Sequence, residues 1–327
     1  MIIAYKELRK LEIEIWQAIL DTEAQQSFIY SEIQLTQFYG IEIDDFAHEI
    51  AKLSLWLAEH QMNKYFEAQI EQGQSKPILP LKASGNITHA NDTRVDWEQV
   101  CPKAKDDEIY LLGHPPYFGY GKQNNQQKSD LEFVFNGFKN YKKLDYISCW
   151  FFKGANYILK SKATFAFVTT NSITQGKQVS LLWPFIIDKQ LEIGFAYQTF
   201  KWSNSAKGNA GVSVVIINIR TLSDKPKYIF ESNIAQVVTN INPYLTQAKN
   251  LIVYKESKPI SNLLKMTKGS QPTDGGNLLL DINEKNNLLD KYSSFVRWQN
   301  YHLVSKSPIR ALGISKLILI NISEVSV

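Results

Sequence analysis

The feature that most constrains this chain is a rhythm in its apolar residues. Short apolar runs alternate with longer segments whose apolar positions recur every three or four residues. The short runs are Gln37–Ile43 (QFYGIEI), Ile109–Leu112 (IYLL), Ala163–Thr170 (ATFAFVTT), Ile193–Tyr197 and Val212–Ile219 (VSVVIINI). Their length and β-branched content predict buried strands. Of the longer segments, Ile2–Leu20 carries Leu8, Leu11, Ile15 and Ile19 at helical spacing. The pair Asp44-Asp45 caps a second helix through about Lys64, which places Phe46, Ile50, Leu53 and Leu57 on one face. Trp56 and Leu57 read as core on that helix. Further helices are expected at about Asp130–Lys139, Leu144–Lys160 and Gln178–Asp188. Strand and helix in this order predict an α/β domain, doubly wound on a mostly parallel sheet. Gly73–Val100, Phe118–Ser129 and Phe200–Gly211 read as loops, and Gln271–Gly276 as a turn cluster.

Composition narrows the classes. The chain has 327 residues, 44% hydrophobic and 21% charged, which suits a globular protein of about two domains and excludes a disordered or fibrous one. Cys101 and Cys149 cannot build a disulfide scaffold and lack metal-ligand spacing, so a reducing compartment, the prokaryotic cytoplasm, is expected. The opening MIIAYKELRK breaks its apolar residues with charges, unlike a secretory signal. His48, His60, His89, His114 and His302 show no paired-ligand spacing, so no metal is expected. The net charge of +4 permits a nucleic-acid partner without demanding one. Five lysines stand between Lys249 and Lys268 against one acid, Glu256, which fits either a backbone-contacting patch or a solvated basic face.

In open α/β sheets ligands bind beyond the carboxyl ends of the strands. Glu42, in GIEID, lies at the end of the predicted strand Gln37–Ile43, where a carboxylate can accept both hydroxyl hydrogens of a ribose. A solvated acid or a helix cap fits the same position. Asp96-Trp97 follows Val95, and an Asp beside an aromatic ring can hold an adenine, although such pairs are common in loops. His114-Pro115-Pro116-Tyr117 follows IYLL directly. Two prolines fix the backbone and remove two donors, so their carbonyls stand rigidly beside an aromatic ring. That suits an exocyclic amine on a base stacked against Tyr117.

The series YGIEIDD, VDWEQVCP, YLLGHPPYFGYGKQ, FVTTNSITQGKQV and FKWSNSAKGNAGVSVVIIN resembles the adenine-specific DNA methyltransferases. More narrowly, it resembles the methylase-restriction fusion enzymes of type IIG and IIL systems, over roughly residues 2 to 294. The resemblance implies the class I fold and S-adenosylmethionine as cofactor, with Glu42 on the cofactor ribose and Asp96 on its adenine. Asp44 and Trp97 belong to the same cofactor-binding set. His114, Pro115, Pro116 and Tyr117 would grip an adenine flipped from double-stranded DNA. Phe200 or Trp202, in FKWSN, would flank it, and Lys122 and Gln123 would touch phosphates. No membrane is implied. Residues 1–224 would form the catalytic domain, 225–294 a linker and the start of a target-recognition domain, and 295–327 a divergent tail.

Two departures qualify this expectation. The family's tetrapeptide opens with Asn or Asp, and this chain has His114. A neutral imidazole offers one acceptor on a planar arm, so strongly reduced methyl transfer is expected. The family's glycine-rich cofactor loop and the first, central strand of its sheet precede the helix that begins here at Ile2. Their loss is expected to leave open edges in mid-sheet. Either an upstream fragment supplies both in trans, or a broken gene encodes the chain. The tail carries Arg297, Lys306, Arg310 and Lys316 against Glu324 and ends in the apolar run Leu317–Ile322, as a frameshift or an unfamiliar terminal strand would. A non-catalytic DNA-binding remnant, or one half of a split methyltransferase, is the alternative reading.

Overall fold

The computed structural model describes residues 1–22, 28–75, 85–202, 212–232 and 234–254, and the backbone of 317–321. No helix among them is long and apolar enough to cross a membrane. The chain opens with α1 (Ile2–Leu20), β1 (Ile29–Tyr30), β2 (Phe38–Glu42) and α2 (Asp45–Gln69). Then come β3 (Gly73–Gln74), β4 (Asn86–His89), α3 (Trp97–Val100), β5 (Ile109–Gly113), α4 (Asn125–Val134) and α5 (Ser148–Tyr157). The series continues with β6 (Thr164–Thr170), α6 (Gly176–Ile187), β7 (Leu191–Trp202), β8 (Val212–Thr221), β9 (Lys227–Glu231) and β10 (Ile234–Val238). It closes on β11 (Leu317–Asn321).

Among the described residues, nine strands form one sheet in the order β10-β9-β7-β8-β6-β5-β11-β2-β4. β2 pairs with β4, β5 with β6, and β7 with β9 in parallel, whereas β8, β10 and β11 run against their neighbours. The remaining six therefore share one direction, as the alternation of strands and helices predicts.

The middle of the sheet is not left open. β11 lies antiparallel between β2 and β5, with Leu317 opposite both Ile41 and Gly113, and Leu319 opposite both Tyr39 and Leu111. The apolar run at the end of the chain thus satisfies the backbone groups expected to be exposed there.

The core falls into two clusters. Tyr5, Leu35, Phe38, Leu55 and Phe66 pack beneath α1 and α2. Trp150, Trp183, Phe135, Phe151, Phe165 and Phe167 fill the space around the larger part of the sheet.

Helical spacing predicts both helices but not which face packs. On α2 the buried residues are His48, Leu55, Ala58, Met62 and Phe66, while Ile50, Leu53 and Leu57 are exposed and Phe46 is 75% exposed. Leu57 is thus a surface residue. On α1, Leu11 and Ile15 face outward and Tyr5, Arg9, Glu12 and Ile13 are buried. The inward charges face each other, with Arg9 Nε 3.2 Å from Glu12 Oε2, and Arg9 Nη1 donates to Tyr5 Oη at 2.7 Å and to Asn63 Oδ1 at 3.0 Å. Glu12 accepts from Ser31 Oγ and from the Glu32 amide, both at 2.7 Å. A local apolar stripe cannot reveal this burial, because Asn63 and the Glu32 amide lie 54 and 20 residues away.

Two stretches read as loops contain structure. Asn124 and Gln127 form a reciprocal cap that starts α4 at Asn125. β4 is polar (NITH) and is defined by its pairing along Tyr39–Glu42. The turn at 271–276, His302 and most of the basic stretch 249–268 lie outside the described residues.

Candidate active site at the carboxyl ends of the strands

Two strand ends carry the predicted acids. Glu42 ends β2, is 6% exposed, and accepts from the Asp44 amide at 3.2 Å through Oε1. Its other carboxylate oxygen has no hydrogen-bond donor among the described residues. Asp44 is exposed and caps α2, accepting from the Ala47 amide at 2.8 Å. Asp96, beyond the end of β4, is exposed and caps α3 through the Glu98 amide at 3.0 Å.

Trp97 does not stand open beside Asp96. It is 2% exposed, its Nε1 donates to the Asp92 carbonyl at 2.8 Å, and the Lys153 ammonium lies 5.4 Å from its ring centre. Its ring is part of the core and braces the loop rather than facing a ligand. The brace is wider: Trp150 Nε1 donates to Asp92 Oδ2 at 2.8 Å, and Lys153 Nζ donates to the Val95 carbonyl at 2.6 Å. Burial lowers the Lys153 pKa to about 8, although Asp92 and Asp96 oppose this.

Asp130 anchors the same region from α4. It is 1% exposed and accepts from Tyr146 Oη at 2.8 Å, Arg94 Nε at 2.6 Å and Asn91 Nδ2 at 3.3 Å. Burial first, and then this carboxylate, push the Tyr146 phenol far up. Asp92, Asp130 and Lys153 were missed in the sequence. Their only mark is a charge set among aromatics, as in CWFFKGANY.

The tetrapeptide leaves β5 after Gly113, which lies opposite Phe167 of β6. Pro115 is buried, and Tyr117 is half-buried. The next residue is clamped from both sides: the Phe118 amide donates to Asp145 Oδ1 at 2.9 Å, and its carbonyl accepts from the Tyr146 amide at 3.0 Å. Burial raises the Asp145 pKa against three backbone hydrogen bonds, and raises that of Tyr117 with help from the Asp145 charge.

His114 sits among aromatic rings. Its imidazole is 4.8 Å from the Trp202 ring and 5.7 Å from the Tyr117 ring. Nε2 is buried without a hydrogen-bond partner among the described residues, and burial lowers the imidazole pKa, which favours the neutral ring. Of the two aromatics in FKWSN, Trp202 is therefore brought to the tetrapeptide, while Phe200 lies two residues back on β7, opposite Val214.

Beyond the tetrapeptide, Lys122 is exposed in the turn that begins at Gly119. Gln123 is buried, and its amide nitrogen donates to the Phe118 carbonyl at 2.8 Å and the Leu144 carbonyl at 2.9 Å. Its amide group is committed to holding the loop, not to reaching a phosphate. A cavity of about 430 Å³ opens beside it, lined by Tyr120, Lys128, Tyr141 and Lys142 among others.

This arrangement can be set against known proteins. The family model for the MmeI DNA-methyltransferase domain matches residues 1–231. The chain belongs to that family. The MmeI target recognition domain matches residues 247–310. The chain is 47% identical over 297 residues to DNA methyltransferase A of Bacillus subtilis (strain 168), covering 90% of this chain and 34% of that protein. It also matches a solved structure of the Type IIL restriction-modification enzyme MmeI in complex with DNA. There the TM-score is 0.76 and the identity 39%, over 89% of this chain and 39% of that one. The chain thus has the class I methyltransferase fold of the MmeI family and spans well under half the length of these two relatives.

Proposed function

We propose that this chain is the methyltransferase part of a restriction-modification enzyme. It would methylate the exocyclic amine of an adenine flipped from double-stranded DNA, with S-adenosylmethionine as donor. The observation that carries the reading is the tetrapeptide at the end of β5, rigid by its prolines and flanked by the Tyr117 and Trp202 rings around His114. Family membership and the DNA complex of the MmeI relative support it.

The residues fit the cofactor in part. The open carboxylate oxygen of Glu42 suits ribose hydroxyls, and the exposed Asp96 suits an adenine amine. The aromatic face expected from Trp97 is not available. S-adenosylmethionine supplies the electrophilic methyl group when bound. Everything else falls to the protein. Tyr117 and Trp202 hold the base plane, the proline carbonyls accept the amine hydrogens, and His114 gives one further acceptor. Lys122 supplies a charge for the DNA backbone.

His114 in place of Asn or Asp makes this a slow enzyme. An upstream fragment supplying a glycine loop and a strand would complete the cofactor site in trans, and such a strand would compete with β11 for its place. The unusual imidazole also favours a second reading, a DNA-binding remnant without chemistry. Calorimetric titration with S-adenosylmethionine, paired with a methylation assay on duplex DNA, separates the two. Cofactor binding with slow adenine methylation is expected; salt-dependent DNA binding without any cofactor binding would establish the remnant.

A further inference from the structure

The cavity of about 430 Å³ beside Gln123 takes no part in the proposed methyl transfer. Its lining includes none of Glu42, Asp96, residues 114–117 or Trp202. Yet it opens on the same loop as the tetrapeptide. Tyr120 lines it and follows Tyr117 by three residues, a chain span of about 10 Å at most. Gln123 lines it too, while its amide nitrogen holds the Phe118 and Leu144 carbonyls. Cavity wall and tetrapeptide loop are thus braced as one piece.

Three properties of the lining say what fits there. First, it carries two phenol rings, Tyr120 from the loop and Tyr141 from the segment after α4, and Tyr120 is 61% exposed. Accessible aromatic rings stack on nucleobases with little regard to sequence. Second, Lys128 and Lys142 line the same space, and neither has a carboxylate partner among the described residues. Glu132 is the only acid of the lining, and it is hydrogen-bonded to the Tyr141 side chain. Around the mouth, residues 119–145 hold five lysines against three acids, of which Asp130 and Asp145 are buried on donors of their own. The accessible charge is therefore positive, as a phosphate requires. Third, Ser129 Oγ, on α4, accepts from Arg94 Nη2 at 2.8 Å, which leaves the hydroxyl hydrogen to donate. The volume is that of a small-ligand pocket, enough for one nucleotide.

We infer that this cavity is a second nucleotide subsite, which takes an unpaired nucleotide of the DNA strand that passes the tetrapeptide. The base stacks on Tyr120 and Tyr141, and Lys128, Lys142 and Ser129 hold the phosphate. The inference rests on the proposed function for its ligand, DNA, and adds a place that the flipped adenine does not occupy. Drawing a base out of a duplex costs stacking and pairing, and a subsite of this kind offsets part of that cost.

The test uses the full chain and a short single-stranded oligothymidylate carrying 5-iododeoxyuridine. Ultraviolet cross-linking followed by mass spectrometry should place the label on Tyr120 or Tyr141. Tyr120→Ala should bind the oligonucleotide about tenfold more weakly. Lys128→Gln combined with Lys142→Gln should lower the salt slope of binding by about 1. All three side chains are exposed, so the melting temperature should not change. Thymidine monophosphate, at the same nucleotide concentration, should not displace the strand. Unchanged binding in both variants, a label that maps elsewhere, or displacement by the free nucleotide overturns the inference. Methylation of duplex DNA is scored in parallel. A label on either tyrosine in a chain that methylates nothing keeps the subsite and ends the enzyme reading; methylation without that label does the reverse.

Discussion

The imidazole of His114 stands 4.8 Å from the indole of Trp202, with its Nε2 buried and without a hydrogen-bond partner among the described residues. Where the proposed chemistry needs a flipped adenine and an oxygen acceptor, the chain places a planar ring with a single acceptor nitrogen. Replacing His114 by Asn should therefore raise methyl transfer to duplex DNA. A gain of ten- to about a hundredfold is expected, the scale on which roughly 1 Å of misplacement changes rates. Tritium transfer from labelled cofactor measures it, and an unchanged rate would remove His114 as the cause of slow turnover.

The same residue predicts a pH dependence of stability. Burial lowers the His114 pKa below the ordinary histidine value of about 6.5. The unfolded chain therefore binds a proton that the folded chain resists. Stability is retained above about pH 6.5 and falls as the pH drops below it. Between about pH 7.5 and 5.5 the wild type should lose more melting temperature than His114→Asn. Parallel losses in the two proteins would contradict this.

Trp202 and Phe200 should differ in base capture. Trp202→Ala removes a ring beside the tetrapeptide and should weaken DNA carrying 2-aminopurine at the target by about 1–3 kcal/mol, with loss of the flipped-base fluorescence change. Phe200→Ala should leave that signal largely intact. The reverse order would assign the role to Phe200.

Asp96 serves two ends that substitution can separate. Asp96→Ala removes the cap on the Glu98 amide and should cost about 1 kcal/mol of stability. Asp96→Asn keeps a capping oxygen, and so should preserve the melting temperature while weakening S-adenosylmethionine binding in calorimetry. Equal affinity in Asp96→Asn would exclude Asp96 from the cofactor site.

Trp150→Phe should act at a distance. It deletes the donor to Asp92 Oδ2 at a buried site, which costs about 1–3 kcal/mol. The loop that ends at Asp96 should loosen with it. Faster amide hydrogen exchange at residues 91–97 would register the change, while exchange in β8 should stay the same.

The order of strands and helices was legible in the sequence because side-chain periodicity is local, and the strand-end residues followed from that order. Glu42 and His114 could be placed at strand ends from GIEID and IYLLGHPPY alone. The bracing around Asp92, Asp130 and Lys153 could not, since the Arg94–Asp130, Trp150–Asp92 and Lys153–Val95 contacts join residues 36 to 58 positions apart. Trp97 and Gln123 read as available for ligands because their motifs do not show burial, yet both are spent inside the fold.

The sequence by itself determined the α/β class, the family and the position of His114-Pro115-Pro116-Tyr117 at the end of β5. It also marked Leu317–Ile322 as strand-forming, through its uninterrupted apolar run. Tertiary structure alone decided which faces of α1 and α2 pack and where that last strand goes. A strand's propensity resides in its own residues, but its partners are set by backbone edges far away in the chain. Here those edges belong to β2 and β5, which β11 joins into one sheet.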